Sequence, residues 1–220
     1  MVVDILNLGK VDFPSLESPK SSVLIVGGGP STLETERYRD LEVDLKISTS
    51  TCYLNPFLHT FNLDYHIVSV QTDFNSSEFK TFHSINPDLK FIIEPNHLWK
   101  YPPGLSTLES SKRADKINIS VDYRIGIAAR AIIAFIILGF RDIYFVGFDG
   151  YSPAGEAQHA FLKDKSKMDS AATVNTYDKM LENFKRFFKL TEELGEHYTF
   201  KLHNLGQGHP SNIPTTLGYK

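Results

Sequence analysis

Apolar residues run almost unbroken from Gly126 to Leu138, with Arg130 the one charge among them. A helix that is apolar on nearly every side is covered by neighbours, so the stretch predicts a buried helix. Gly139 follows where a helix C-cap takes a left-handed residue. Arg141 and Asp142 mark an exposed turn, and Ile143 to Phe148 (IYFVGF) is a continuous β-prone run. Such a run predicts a strand covered on both faces. It ends in Asp149-Gly150-Tyr151.

The remaining pattern repeats this strand-and-helix theme. Ser22 to Val26 predicts a short apolar strand that runs into Gly27-Gly28-Gly29-Pro30-Ser31-Thr32. Further strands are predicted over Asp44 to Ser50, Tyr65 to Val70, Phe91 to Ile93, Lys116 to Val121 and Tyr198 to Leu202. Tyr177, Met180, Leu181, Phe184, Phe187 and Leu194 recur at helical spacing, with Asn175 as a cap and Gly195 as a stop. Residues 1–20 read as an irregular lead-in that packs on the domain or on another subunit. Residues 94–111 form a proline-rich loop around Trp99 and Tyr101, and 152–173 a long polar one. Polar loops of that length in a compact domain are usually functional lids or disordered segments. Strands alternating with helices predict an α/β fold. Its sheet is mostly parallel, with helices on both faces, in a single domain over 1–220 with one lid-like insertion.

Composition narrows the classes. A net charge of -3 argues against a general nucleic-acid binder. The one cysteine, Cys52, excludes an intrachain disulfide and a thiolate metal cluster, and suits a reducing compartment. The first residues lack the pattern of a signal peptide, and the run ending at Leu138 is too short to span a bilayer. A cytoplasmic protein, at most peripheral at an inner membrane, is expected.

Candidate chemistry gathers at strand ends. Glycines after the first strand let backbone approach a ligand closely, and amides at a helix start attract an anion. Gly27, Gly28, Gly29, Pro30, Ser31 and Thr32 are therefore read as a phosphate cradle, with Ser31 or Thr32 capping a helix over LETERYRD. The loop matches neither G-x-G-x-x-G nor a Walker loop, and a plain strand-to-helix turn is the alternative. Thr49 and Ser50 end the second strand with hydroxyls that bind a nucleotide or close a turn. Asp149 ends the central strand, where open α/β sheets bind ligands; Asp149-Gly150 as a simple turn is the alternative.

Taken as a pair, VLIVGGGPST and IIAFIILGFRDIYFVGFDGY resemble the bacterial lipooligosaccharide sialyltransferases and their wider relatives. These relatives include the motility-accessory glycosyltransferases and 6-hydroxymethylpterin diphosphokinase-like proteins. The matching residues are Gly27, Gly29, Pro30 and Ser31, then Leu138 to Ile143, Gly147 and Asp149. The resemblance implies a Rossmann-like nucleotide-binding fold, a CMP-sugar donor and no required metal or other cofactor. It implies that Gly28 to Thr32 lie along the donor phosphate, with Thr49 and Ser50 near the nucleotide or sugar. Gly126, Asp149, Gly150 and Tyr151 would line the opposite wall. The family's Thr-Ser-Gly turn is here Tyr123-Arg124-Ile125-Gly126, and SKMDSAATVNTYDKM holds no histidine where the family places its catalytic one.

The resulting expectation is a metal-independent glycosyltransferase in surface polysaccharide or lipooligosaccharide assembly. Its partners are a nucleotide-sugar donor and a glycan or lipid-linked acceptor. A histidine suits the general base that deprotonates the acceptor. His159 is the first candidate, because its polar loop follows Asp149, and His209 the second. Arg124 or Lys163 would neutralise phosphate charge. One alternative is pterin-type pyrophosphate transfer, which needs magnesium on carboxylates such as Asp73, Glu94 and Asp149. The other is a non-catalytic nucleotide- or sugar-binding accessory module.

Overall fold

The computed structural model describes residues 21–69, 72–93, 114–116, 125–149, 177–206 and 216–219. Eight strands form one sheet: β1 (Ser22–Val26), β2 (Leu45–Thr49), β3 (Tyr65–Ile67), β4 (Lys90–Ile93), β5 (Ala114–Lys116), β6 (Asp142–Val146), β7 (Phe200–Asn204) and β8 (Thr216–Tyr219). Their spatial order is β5-β4-β3-β2-β1-β6-β7-β8. All neighbours are parallel except β7 and β8. The expected α/β, Rossmann-like architecture with a mostly parallel sheet is present, and β1 and β6 lie side by side with Val26 opposite Val146.

Alternation along β1 divides the two cores. Val23 and Ile25 face one side, where α2 (Ile127–Ile137) and α3 (Tyr177–Gly195) cover the sheet with Ile132, Phe135 and Phe187. Leu24 and Val26 face the other, under α1 (Ser77–Ile85) and the short 3-10 helices at Cys52–Leu54 and Pro56–Thr60. Each fully buried Ile, Leu or Phe of these layers contributes about 1.5–3 kcal/mol relative to exposure. Since β1 and β6 are covered on both faces, their sequences read as unbroken apolar runs.

Helix α2 matches the expected buried helix, and Gly139 beyond it has φ 90, the left-handed C-terminal conformation. Several boundaries differ from the sequence reading. β3 ends at Ile67 rather than Val70. A strand is present at Ala114–Lys116, and the rest of the one expected over Lys116 to Val121 lies outside the described residues. The strand expected from Tyr198 starts at Phe200, because the Tyr198 amide still donates to Leu194 O and closes α3. α1 carries too few apolar positions to show a period; the Ser76 hydroxyl caps it, accepting from the Phe79 amide at 3.1 Å. β8 was not expected either: the connection of residues 205–215 is too short for a parallel crossover, so the chain returns antiparallel. The lead-in 1–20, the loop 94–111, the lid-like segment 152–173 and Asn175 lie outside the described residues.

Candidate functional site

From β1 the chain steps outward through β2, β3, β4 and β5, and then returns to place β6 on the other side of β1. The strand order therefore reverses between β1 and β6. Ligands of open α/β sheets bind beyond the carboxyl ends of the strands at such a reversal. Two loops meet there, Gly27–Thr32 after β1 and Gly147–Asp149 after β6.

Hydrogen bonds stitch these loops together. Gly27 N donates to Val146 O and Gly29 N to Gly147 O, both at 2.8 Å. Gly147 N donates to the Ser31 hydroxyl at 2.8 Å. Ser31 N donates to the Asp149 carboxylate at 2.8 Å. The glycines make this approach possible: a Cβ on Gly27 would sit 2.5 Å from Gly147 O, and one on Gly29 would sit 2.8 Å from the same oxygen and run into Asp149. Gly147 itself has φ 73 and its absent Cβ faces the Gly27 carbonyl. Their role is thus backbone-to-backbone contact as much as room for a ligand.

The loop's amides are largely engaged. Besides Gly29 and Ser31, Thr32 N donates back to Gly29 O at 3.0 Å, and Pro30 has no amide hydrogen. Gly28 N alone in Gly27–Thr32 has no partner among the described residues. The segment after the loop is a 3-10 helix, Pro30–Tyr38, and its N-cap is Gly29 with no side-chain cap. This corrects the expectation that Ser31 or Thr32 caps it. Both side chains are buried: Ser31 Oγ serves β6, and Thr32 Oγ1 lies 3.4 Å from Asn55 Nδ2, which donates to Thr32 O at 3.0 Å.

Thr49 is sealed, and its hydroxyl donates to Val26 O, tying β2 to β1. Cys52 Sγ reaches the same carbonyl at 3.4 Å, and burial pushes its thiol up to about 12. Ser50 is half-buried at φ 57, a left-handed conformation that a serine seldom takes. Its hydroxyl meets that of Ser69 at 2.8 Å, and Thr72 Oγ1 reaches its carbonyl. A hydroxyl ledge therefore extends the rim from β1 toward β3. Gly126 is exposed at φ 81, and it caps α2 with open space where a Cβ would be.

Asp149 is 4% exposed. One oxygen accepts from Ser31 N; the other has no described partner and is not sealed from the crevice. No cation among the described residues pairs with it. Gly150, Tyr151, His159 and His209 lie outside the described residues, as do Glu94, Arg124 and Lys163. Asp73 is exposed and caps a turn through Asn75 N, away from Asp149 in sequence and partner. Among the described residues no group of three His, Cys, Asp or Glu is gathered to hold a metal.

Two described histidines have definite partners. His203 Nε2 contacts Asp142 at 3.0 Å and stacks on Tyr144, with Asp142 at the opposite end of β6 from Val146. His66 is fully buried among Tyr53, Phe79, Phe82 and Phe91. Its Nδ1 meets the Ser48 hydroxyl at 2.8 Å, and its Nε2 has no partner. Burial drives its pKa down to about 3, so it is a neutral core residue.

Sheet order and crevice together define a Rossmann-like α/β protein with its loops gathered at the strand reversal. No family model matches the sequence, and neither does any curated protein. The fold is similar to that of the sialyltransferase CST-II solved with a trisaccharide acceptor and CMP: TM-score 0.51, 16% identity, 91% of each chain covered. It is similar also to CstII from Campylobacter jejuni with the substrate analogue CMP-3FNeuAc: TM-score 0.52, 15% identity, 91% of this chain and 92% of that one. The likeness is one of fold, and both of these solved structures are sialyltransferases. No described helix is long and apolar enough to cross a membrane.

Proposed function

We propose that the protein is a glycosyltransferase that takes a CMP-activated sugar at the β1–β6 crevice and passes the sugar to a glycan or lipid-linked acceptor without a metal. The observation that carries this reading is the anion capacity of the crevice. Within the Gly27–Thr32 loop the Gly28 amide alone has no partner among the described residues, and the Asp149 carboxylate occupies the Ser31 amide of the same loop. That capacity suits a donor with one phosphate better than a diphosphate. Support comes also from the two CstII structures of the same fold, which hold CMP and a CMP-sugar analogue.

In this reading Gly28 steadies the donor phosphate, and the hydroxyl ledge of Ser50 and Ser69 receives the nucleotide or sugar. Transfer breaks the bond between the sugar's anomeric carbon and the phosphate oxygen and leaves CMP. The acceptor hydroxyl forms the new bond as it gives its proton to a general base. His159 is proposed for that base and His209 as its substitute. A role in surface-polysaccharide assembly belongs to the same proposal.

A thermal-shift series with CMP, UMP, UDP, GDP and ATP tests donor class. CMP at a hundredfold excess over its Kd raises Tm by about 5–10 °C, because a ligand of the folded state alone must stabilise it. No shift with any nucleotide sinks the reading. Release of CMP from a CMP-sugar in EDTA then separates an enzyme from a binding module. His159→Ala lowers that turnover about 10²–10⁴-fold with donor affinity nearly unchanged, whereas full activity moves the role to His209 or to no histidine.

A further inference from the structure

We propose that Asp149 is a charge filter, which makes the crevice select a nucleoside monophosphate over the corresponding diphosphate. The inference rests on the donor reading above and assigns its specificity to one side chain. Asp149 reaches across from the end of β6 to take the Ser31 amide, which removes one donor of the glycine loop from any ligand. It is nearly sealed, so solvent screens its charge little. No cation among the described residues pairs with it. Gly29 must lack a side chain for the carboxylate to seat there, and Gly29 N is already committed to Gly147 O. Among the described residues, an incoming anion therefore finds one free amide in the loop, at Gly28, and the Asp149 carboxylate already on the Ser31 amide. One phosphate can take the amide and stay clear of the carboxylate. A second phosphate adds charge and finds no further donor in the loop, so like-charge repulsion goes uncompensated.

The contact with Ser31 also shapes the loop, so a variant must keep the acceptor while removing the charge. Asp149→Asn does this through its amide oxygen. Calorimetric titration of CMP and CDP into wild type and Asp149→Asn gives two affinity ratios. Wild type is expected to bind CMP at least about tenfold more tightly than CDP, and the variant to narrow that ratio by about tenfold, chiefly by gaining CDP affinity. Equal wild-type affinities overturn the filter, and so does an unchanged ratio in the folded variant while CMP still binds. If Asp149→Asn does not fold, Asp149→Ser, which keeps a short acceptor without charge, is read by the same ratio. Failure of wild type to bind either nucleotide overturns the donor reading itself, and the filter falls with it.

Discussion

Ser31 donates its backbone amide to the carboxylate of Asp149, 118 residues further along the chain, at 2.8 Å. The Ser31 hydroxyl returns the link by accepting from Gly147 N. One residue of the β1 loop thus fixes two residues of the β6 loop. The crevice is held by polar bonds that are buried, so each is costly to leave unmade.

Ser31→Ala tests that coupling. The variant leaves Gly147 N buried without its acceptor, which costs about 1–3 kcal/mol. Urea unfolding followed by circular dichroism should show that loss, together with weaker CMP binding. Unchanged stability would mean that the Ser31–Gly147 bond does not hold the loops.

Glycine substitutions separate crowding from backbone conformation. Gly27→Ala puts a methyl 2.5 Å from Gly147 O, and the backbones must part to admit it. The expected loss is about 2–3 kcal/mol, in the upper part of the range for overpacked cores. Gly126→Ala and Gly139→Ala meet open space and carry only a backbone penalty, about 1–2 kcal/mol for Gly139 and about 1–3 kcal/mol for Gly126, whose φ 81 and ψ 162 suit glycine alone. Melting temperatures in the order Gly27→Ala lowest, the other two higher, are the expected outcome. A Gly29→Val variant is a poor probe of phosphate binding alone, because its side chain would also displace Asp149.

His66 predicts an acid-sensitive fold. Its folded pKa, about 3, lies below the ordinary histidine value of 6.5. Above pH 6.5 neither state is protonated there, and the group has no effect. Between about pH 6.5 and 3 the unfolded chain takes up the proton and the folded one does not. Stability therefore falls as pH falls, by at most about 1.4 kcal/mol per pH unit from this group. His66→Phe, which keeps the ring among its aromatic neighbours, should flatten the slope between pH 6.5 and 4.5 in urea titrations. An equal slope in both proteins would contradict the burial argument.

Cys52 should be inert in the folded protein. It is fully buried, and its thiol is held near 12, so almost no thiolate forms at neutral pH. Labelling with a disulfide reagent should proceed only as fast as the protein opens, and should become fast in denaturing urea. Rapid labelling of the native state would show that the segment after β2 is open.

The sequence by itself determined the frame. Unbroken apolar runs at Ser22–Val26 and Ile143–Val146 can exist only in strands covered on both faces, and the all-apolar stretch to Leu138 only in a covered helix. Gly139 announced its left-handed end through residue type alone. Those signals are local, carried by period and by conformational permission. What the glycine loop touches was not local. Ser31 and Asp149 are brought together by the pairing of β1 with β6, and only that pairing turns a triple glycine into a close backbone crossing. The same holds for Ser50 and Ser69, joined by the β2–β3 neighbourhood, and for His66, whose burial depends on rings from three other segments. Helix α1 and strand β8 escaped the sequence because short elements show too few periods, and packing rather than propensity stabilises them. Strand pairing is a long-range choice made by burial of the whole sheet, and it decided which amides of the crevice are engaged and, among the described residues, which is not.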